Sequence, residues 1–299
     1  MDRRRFLALT PAALAAPSAP LQAQASSTRR GFGRAAETVP AIGMGTWLTF
    51  DVGDDAAAKS QRRAVLQRFF AAGGGVIDSS PMYGGAQALL GELLPNVGHE
   101  GKLFAQTKVW TPFERLGPGQ LEHSLRLWGV PRFDVLLVHN LLNWRGHIKT
   151  LRQWKEQGRV RYIGVSTSHG RKHDEAGRVI RSEPIDVLQI TYNLADASAE
   201  PLMNLAAERG LAVVINRPFD GGDLFDRIGR RPLPAWASEI GCANWAQYFL
   251  KWVVSHPAVT CAIPATRRPA HMDENMGAGV GGMPDAAARQ RMQAYVGQL

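Results

Sequence analysis

Three segments of the chain decide its fold: VIDSS at 76–80 with PMYG directly after it at 81–84, LFAQTKVW at 103–110 and FDVLLVHN at 133–140. Each begins as a short apolar run and ends in polar or charged residues, and a segment with helical periodicity separates each from the next. Strands that alternate with helices in this way pair as parallel neighbours. We therefore expect the three segments to place their polar ends at one edge of a parallel sheet.

The same alternation continues along the rest of the chain. Strand-like apolar runs occur at 44–47, 76–80, 103–109, 133–139, 160–166, 185–193, 211–217 and 259–265. Helical segments separate them, and glycines such as Gly129 and Gly158 stand where a helix should end. Eight such units are typical of a (β/α)8 TIM barrel of the α/β class. The first run is not followed by GxGxxG, which argues against a Rossmann domain.

Apolar side chains recur at helical spacing between the strands. The clearest stripe is Trp245, Phe249, Trp252 and Val253. The stretch 29–40 is predicted to form a short hairpin that closes the bottom of the barrel, and 284–296 is predicted to form a final packing helix. We expect one barrel domain at 26–299, since no Ser/Gly-rich linker interrupts the alternation.

Composition narrows the class of protein. Hydrophobic residues make up 45% of the 299 residues, but no run approaches the roughly 20 apolar residues of a membrane span. The net charge of +9 favours anionic ligands, yet no Lys/Arg tract with interleaved aromatic residues indicates nucleic-acid binding. The two cysteines, Cys242 and Cys261, are compatible with a disulfide or with buried thiols. No metal-ligand spacing is present, so we predict no metal site.

The first 25 residues read MDRRRFLALTPAALAAPSAPLQAQA, with positive charge first, then an alanine-rich stretch, then an Ala-Gln-Ala cleavage pattern. The paired arginines followed by Phe6 and Leu7 resemble a twin-arginine signal, which carries folded proteins across the bacterial inner membrane. We predict cleavage before Ser26, export by the Tat machinery and a periplasmic location. The alternative is a basic leader that carries no export signal. For the mature chain we expect a monomer without stable membrane insertion.

Four residue types with complementary chemistry fall at or just beyond the ends of the second, third and fourth strands. They are Asp78, Tyr83, Lys108 and His139. In this arrangement Asp78 neutralises Lys108, and the ammonium group lowers the pKa of the Tyr83 phenol from its ordinary value of ~10. Tyr83 then donates a proton to a carbonyl oxygen as hydride reaches the carbon, and His139 hydrogen-bonds the same oxygen. The pattern predicts carbonyl reduction.

These motifs resemble those of the aldo-keto reductase family. GTW, Asp-Ser-Ser-Pro-Met-Tyr-Gly, QTKVW, LLVHN, GVS, QITYN and IPATRRPAHMDEN follow one another in the family's order. The resemblance implies a (β/α)8 barrel, a nicotinamide cofactor and interconversion of carbonyls and alcohols, with the four residues above as the catalytic tetrad. It also implies that Ser166 and Gln189 hydrogen-bond the nicotinamide carboxamide and that Tyr192 stacks on the nicotinamide ring.

An anion site is predicted after the last strand. Thr266, Arg267 and Arg268 precede a helix, so backbone N–H groups, the helix dipole and two guanidinium groups converge there. By the resemblance this loop holds the cofactor phosphates, and Glu274 and Asn275 contact adenine. The two arginines favour NADP(H) over NAD(H) as the cofactor.

The chain departs from the family pattern at four positions near the expected cofactor. Ala265 and His271 stand where many members carry a lysine and an arginine, and Thr167 replaces a common asparagine. Arg217 lies in INRPFDGG, where many members have a Tyr-Ser-Pro-Leu run. Arg217 is a predicted cofactor-binding residue with two roles open, a contact with the pyrophosphate or with a substrate carboxylate.

Aromatic residues expected near the active site favour an apolar or planar carbonyl compound as the substrate. The predicted substrate-binding residues are Trp47, Trp110 and Trp144. The structural alternative is that these tryptophans pack loops. Two further functions are an exported nicotinamide-binding barrel without turnover and a barrel hydrolase or isomerase. The intact tetrad favours the reductase over both.

Overall fold

Eight parallel strands form a ring in the structure, a computed structural model that describes residues 27–299. An antiparallel hairpin of β1 (Arg29–Gly31) and β2 (Thr38–Pro40) precedes the ring. The ring strands are β3 (Met44–Gly45), β4 (Val76–Asp78), β5 (Phe104–Val109), β6 (Phe133–Val138), β7 (Val160–Ser166), β8 (Val187–Thr191), β9 (Ala212–Asn216) and β10 (Cys261–Ala262). The predicted export leader at 1–25 lies outside the described residues.

The ring strands follow one another in chain order around the sheet, and each is parallel to the next. Two bridges, Ile42 with Ala262 and Gly45 with Ala265, join the β3 region to the β10 region and close the ring. The prediction of an α/β fold with a (β/α)8 TIM barrel is therefore confirmed. β3 and β10 are shorter than predicted because much of the pairing at this seam consists of isolated bridges.

Helices follow the strands and surround the ring. They are α1 (Ala56–Ala71), α2 (Ala86–Leu93), α3 (Gly117–Trp128), α4 (Trp144–Glu156), α5 (His173–Ser182), α6 (Glu200–Glu208), α7 (Asp223–Ile228), α8 (Trp245–Val254), α9 (Pro269–Gly277) and α10 (Ala286–Gly297). Local sequence sets several of their ends. The Asp55 side chain accepts a hydrogen bond from the Ala58 N–H where α1 begins, and Gly129 ends α3 with a φ of 66°. α10 corresponds to the predicted final helix.

Phe32 closes the amino-terminal end of the barrel. Its ring packs against Phe104 and Tyr162 at centroid distances of 4.9 and 4.8 Å. Together with Val39 it joins the apolar side chains inside the ring, while a larger apolar cluster fills the layer between strands and helices. The hairpin therefore covers the bottom of the barrel, as its sequence predicts.

The loops at the opposite end hold unusual backbone conformations. Within residues 27–299, eight non-glycine residues have positive φ, and all of them follow the carboxyl ends of ring strands. They are Leu48, Asn140, Leu141, Asn143, His169, Lys172, Arg217 and Asp220. The left-handed region costs an L-residue roughly 1–2 kcal/mol, and such strain concentrates at functional sites. The backbone thus marks the carboxyl-terminal end of the barrel as its functional end.

Both cysteines are buried and neither forms a disulfide. Burial raises the pKa of the Cys242 thiol to about 11. Between residues 27 and 299, no helix has both the length and the apolar character needed to cross a bilayer. In the same part of the chain, no group of three or more His, Cys, Asp or Glu side chains is placed to hold a metal ion.

Candidate active site

The four predicted catalytic side chains meet at the carboxyl-terminal end of the barrel. Asp78 is the last residue of β4, Lys108 is the last but one of β5, and His139 follows β6 directly. Tyr83 lies in the loop between β4 and α2. Because these strands are parallel neighbours, their carboxyl ends converge and deliver four different functional groups to one place.

A buried ion pair anchors the group. Lys108 Nζ lies 2.7 Å from each carboxylate oxygen of Asp78 and donates to the Ser79 carbonyl oxygen at 2.9 Å. Gln106 donates its Nε2 to Asp78 Oδ1 at 2.7 Å. The side chains of Lys108 and Asp78 are only 1% and 4% exposed. Burial lowers the pKa of Lys108, and the carboxylate of Asp78 opposes that shift.

Tyr83 holds its proton more firmly than its sequence context predicts. Its hydroxyl oxygen lies 3.4 Å from Lys108 Nζ. The expectation that Lys108 lowers the pKa of Tyr83 is nevertheless wrong, because burial raises that pKa well above its ordinary value and the negative charge of Asp78 adds to the rise. The ammonium charge is already neutralised by Asp78 at close range. A phenol in this environment is fully protonated near neutral pH, so the proton donor is available, while the phenolate needed for alcohol oxidation is scarce.

His139 stands beside Tyr83 as a neutral ring. The two ring centroids are 5.7 Å apart, with an angle of 87° between the ring planes. Burial lowers the pKa of His139 to about 2, and the charge of Lys108 adds to the decrease. Nδ1 of His139 lies 2.8 Å from the hydroxyl oxygen of Ser80. At neutral pH this imidazole therefore offers a hydrogen bond without carrying a charge.

A cavity of about 520 Å³ opens onto these residues. Asp78, Tyr83 and His139 line it, whereas Lys108 lies behind them and is fully buried. The volume falls in the range of small-molecule and cofactor sites. Trp47, a predicted substrate-binding residue, also lines the cavity.

Gln189 presents an amide without partners to the cavity. Its side chain is buried, and neither Nε2 nor Oε1 has a hydrogen-bond partner among the described residues. A buried amide in this state is unfavourable, and a ligand carboxamide would supply both the donor and the acceptor that it lacks. Gln189 therefore fits a nicotinamide. Ser166, the other predicted carboxamide contact, does not line the cavity, and its Oγ accepts from the Asn140 N–H at 3.2 Å.

The predicted anion site contributes Thr266 and Arg267 to the cavity lining, while Arg268 is exposed beside it where α9 begins. Arg62 supports this loop from α1, since it is buried and donates to the Arg267 carbonyl oxygen at 3.2 Å. Burial lowers the pKa of Arg62, and the charge of Arg267 adds to the decrease. Neither Arg62 nor Arg267 forms a salt bridge with another residue of the described chain. The Arg267 guanidinium at the cavity wall fits a phosphate, while Asp55 partly offsets the charge of Arg62 behind it.

The remaining cofactor candidates have different surroundings. Arg217 lines the cavity and donates to Asp220 Oδ1 at 3.1 Å, while its Nε is buried without a partner in the described chain. Glu274 and Asn275 lie on α9 and do not line the cavity. Asn275 is buried, and its Nδ2 also lacks a partner within residues 27–299.

Tyr192, which was predicted to stack on a nicotinamide ring, does not line the cavity in the structure. The residue is fully buried, and its ring stacks on Trp252 at a centroid distance of 4.8 Å. Its hydroxyl accepts a hydrogen bond from Arg289 at 2.8 Å. Side chains alternate along a strand, so Tyr192, three residues after Gln189, points to the outer face of the barrel.

Two of the three predicted substrate-binding tryptophans, Trp110 and Trp144, do not line the cavity. Trp144 begins α4, is buried, and donates its indole N–H to Glu175 on α5 at 2.8 Å. Trp110 is 41% exposed, and its backbone is held by the Gln120 side chain. The Trp144 indole is thus occupied by a contact between two helices, whereas much of Trp110 faces solvent.

Several polar residues at the site have no counterpart in the sequence predictions. Gln106 and Ser80 bond to Asp78 and His139, while Asn140, His169 and Arg171 line the cavity. Gln106 could have been found, since it stands two residues before Lys108 and therefore on the same strand face. The cavity-lining loop residues carry no periodic signal.

Comparison with known proteins points to one family. A model of the Aldo/keto reductase family matches residues 41–286. The aldo-keto reductase yakc of Schizosaccharomyces pombe, whose name specifies NADP(+), is 24% identical over 306 residues, which cover 86% of this chain and 89% of that protein. An aldo-keto reductase from Klebsiella pneumoniae in complex with NADPH has a TM-score of 0.74 at 25% identity, with 90% of this chain and 95% of that chain covered. The holo form of AKR11C1 from Bacillus halodurans shares the fold with a TM-score of 0.74 at 19% identity, over 90% and 96% of the two chains.

Proposed function

Since this chain belongs to the aldo/keto reductase family and is an NAD(P)H-dependent oxidoreductase, we propose that it reduces aldehyde or ketone carbonyls to alcohols with Tyr83 as the general acid. The observation that carries this proposal is the contact of Lys108 with both Asp78 and Tyr83 beside His139, at the wall of one cavity. The phenol and the neutral imidazole together offer a carbonyl oxygen two hydrogen-bond donors.

The residues of the cavity fit a nicotinamide dinucleotide. Gln189 would hold the carboxamide, and Arg267 with Arg62 behind it would hold a phosphate. When bound, the nicotinamide supplies the hydride that reaches the carbonyl carbon. The chain itself contributes the orientation of the reactants and the proton.

Proton delivery follows from the raised pKa of Tyr83. The phenol keeps its proton until the carbonyl oxygen gains negative charge, and it then transfers the proton to that oxygen. Lys108, 3.4 Å from the phenol oxygen, stabilises the phenolate that remains, and Asp78 holds Lys108 in place. His139 donates a hydrogen bond to the same carbonyl oxygen and orients the substrate. Reduction is favoured near neutral pH, because alcohol oxidation has to start from the phenolate.

NADP(H) is the proposed cofactor in preference to NAD(H). NADP(H) carries one additional phosphate, and Arg267, with Arg62 behind it, brings positive charge to the cavity wall without a salt-bridge partner in the described chain. Charge-assisted hydrogen bonds from guanidinium groups to phosphate are among the strongest in proteins.

The proposed substrate is a small carbonyl compound with an apolar or planar body. Trp47, Leu48, Met82 and Phe219 contribute apolar surface to the cavity near Tyr83 and His139. Aromatic surfaces of this kind bind planar groups through stacking and area burial.

Export is a separate proposal that rests on the leader. The paired Arg4 and Arg5 before Phe6 support Tat-dependent transport to the periplasm. Fusion of residues 1–25 to a folded reporter tests it: export is expected with the native leader and its loss with Arg4→Lys/Arg5→Lys. Equal export of both fusions, or export of neither, contradicts the proposal.

The function itself is tested by NADPH consumption with a panel of aromatic and aliphatic aldehydes and ketones. Stoichiometric formation of the alcohol supports the reductase. Binding of NADPH with no consumption across the panel would favour the alternative, an exported nicotinamide-binding barrel without turnover.

A further inference from the structure

Ser80 is not one of the four catalytic residues, but its side chain is hydrogen-bonded to one of them, His139. It is fully buried, two residues after Asp78, in the loop that leads to Tyr83. Its hydroxyl oxygen lies 2.8 Å from Nδ1 of His139 and accepts the backbone N–H of Met82 at 3.2 Å. These are the two contacts of this hydroxyl among the described residues, and they fix its hydrogen-bond geometry.

The direction of the Ser80–His139 hydrogen bond follows from counting donors. The Met82 N–H already occupies one acceptor position of the hydroxyl, so the single hydroxyl hydrogen has Nδ1 of His139 as its acceptor. The reverse arrangement, with a hydrogen on Nδ1, would leave the hydroxyl hydrogen of Ser80 without an acceptor in the described chain. An unsatisfied buried donor is unfavourable, so Ser80 donates and Nδ1 accepts.

We propose that Ser80 is a positioning residue that holds His139 in the tautomer with its hydrogen on Nε2, the ring nitrogen left to hydrogen-bond the substrate carbonyl. This inference rests on the proposed function, since it gives the hydrogen bond from His139 its direction. In the other tautomer Nε2 would carry a lone pair, which repels a carbonyl oxygen. The tautomer of a neutral histidine is set by the hydrogen bond that its other nitrogen makes.

The tautomer is measured directly by long-range 1H–15N correlation spectra of protein labelled with 15N-histidine. The His139 signals are assigned by their absence in His139→Gln. In the wild type we expect hydrogen on Nε2 and none on Nδ1. In Ser80→Ala we expect signals of both tautomers, and in Ser80→Thr, which keeps a hydroxyl, a return of the Nε2–H form.

Ser79→Ala is the matched control for the loss of a buried hydroxyl. Ser79 is as buried as its neighbour, but its hydroxyl accepts a hydrogen bond from Thr46 at 2.9 Å and none joins it to His139 in the described chain. The His139 tautomer should therefore be the same in Ser79→Ala as in the wild type. Tautomer mixing in this control as well would overturn the assignment to Ser80.

The kinetic consequence is a fall in kcat/KM of about 10-fold in Ser80→Ala, comparable to the loss of one hydrogen bond to the reacting oxygen. NADPH affinity should be unchanged, because Ser80 does not line the cavity and its hydroxyl bonds neither Gln189 nor Arg267. A hydrogen on Nδ1 in the wild type, or an unchanged Nε2–H tautomer in Ser80→Ala, would overturn the proposal whatever the turnover. The expected spectra together with no carbonyl reduction by the wild type would instead overturn the proposed function.

Discussion

Lys108 Nζ contacts both carboxylate oxygens of Asp78 at 2.7 Å, in a pair whose side chains are 1% and 4% exposed. The pair joins the ends of β4 and β5, and the ammonium group lies 3.4 Å from the Tyr83 hydroxyl oxygen. One interaction therefore stabilises the barrel end and also holds a positive charge where a phenolate forms during the proposed reaction.

Breaking that pair should destabilise the fold. Lys108→Met leaves the Asp78 charge buried with only Gln106 and solvent to offset it, so we expect a loss of about 3–5 kcal/mol in the free energy of unfolding. Asp78→Asn/Lys108→Met removes both charges and should recover most of this loss without recovering activity. Urea denaturation of Lys108→Met, Asp78→Asn and the double variant checks it. Additive losses in the double variant would show that the two charges do not depend on each other.

The rate of reduction should be almost independent of pH over the ordinary working range. The pKa of Tyr83 is raised well above 10, so the proton donor stays loaded from about pH 6 to about pH 9. Alcohol oxidation, which starts from the phenolate, should accelerate with pH over the same interval. Profiles of kcat/KM in both directions measure this. A descending limb for reduction below pH 9, absent from the stability profile, would mean that the phenol loses its proton much earlier.

Acid should destabilise the protein through His139. The pKa of His139 is about 2 in the folded protein, below the ordinary histidine value of ~6.5. Between these two pH values the unfolded chain binds a proton at this residue and the folded chain does not. The stability present above pH ~6.5 is lost as pH falls toward 2, and this residue should account for a loss of about 2 kcal/mol between pH 7 and pH 5. His139→Gln should show a correspondingly smaller dependence of unfolding free energy on pH. Equal slopes for variant and wild type would contradict the buried neutral ring.

Arg267→Ala should weaken NADPH binding by about 10- to 100-fold and change NADH binding little, as expected for the loss of charge-assisted hydrogen bonds to one phosphate. Arg291→Ala is the control, since this arginine pairs with Glu239 on the surface at 3.5 Å and does not line the cavity. Quenching of protein fluorescence by each cofactor gives the dissociation constants. Equal losses of affinity for NADPH and NADH would contradict a contact between Arg267 and the additional phosphate of NADPH, the 2′-phosphate. They would show that Arg267 contacts a part that the two cofactors share.

The sequence was sufficient for the residues whose place depends on strand order. Asp78, Lys108 and His139 end three successive apolar runs, and parallel strands in chain order necessarily bring such ends together. Tyr192 does not line the cavity, although it lies in the same motif as Gln189, because three positions separate the two residues and place them on opposite strand faces. Its partner Trp252 lies 60 residues further along the chain on α8, a contact that no local pattern contains.

The loops were the least predictable part of the site. Trp144 is an aromatic residue of the kind that often lines a substrate pocket. Its indole N–H instead donates a hydrogen bond to Glu175, 31 residues away on another helix. Arg217 and His169 have backbone conformations with positive φ in the loops around the cavity. The sequence does not predict this conformation for residues other than glycine. The pKa of Tyr83 depends on the burial of the finished site and on how completely Asp78 neutralises Lys108, and neither quantity is present in a motif.

The central claim is that Tyr83 is the proton donor for carbonyl reduction, and the most direct test is kcat for NADPH-dependent aldehyde reduction by wild type, Tyr83→Phe and Tyr162→Phe. Tyr162 is a matched control, since it packs against Phe32 at the bottom of the barrel. We predict that kcat falls at least ~100-fold in Tyr83→Phe, as for loss of a general acid, while NADPH affinity and the activity of Tyr162→Phe stay near wild type. A Tyr83→Phe enzyme that keeps more than roughly a tenth of the wild-type kcat, with chemistry rate-limiting, would contradict the account.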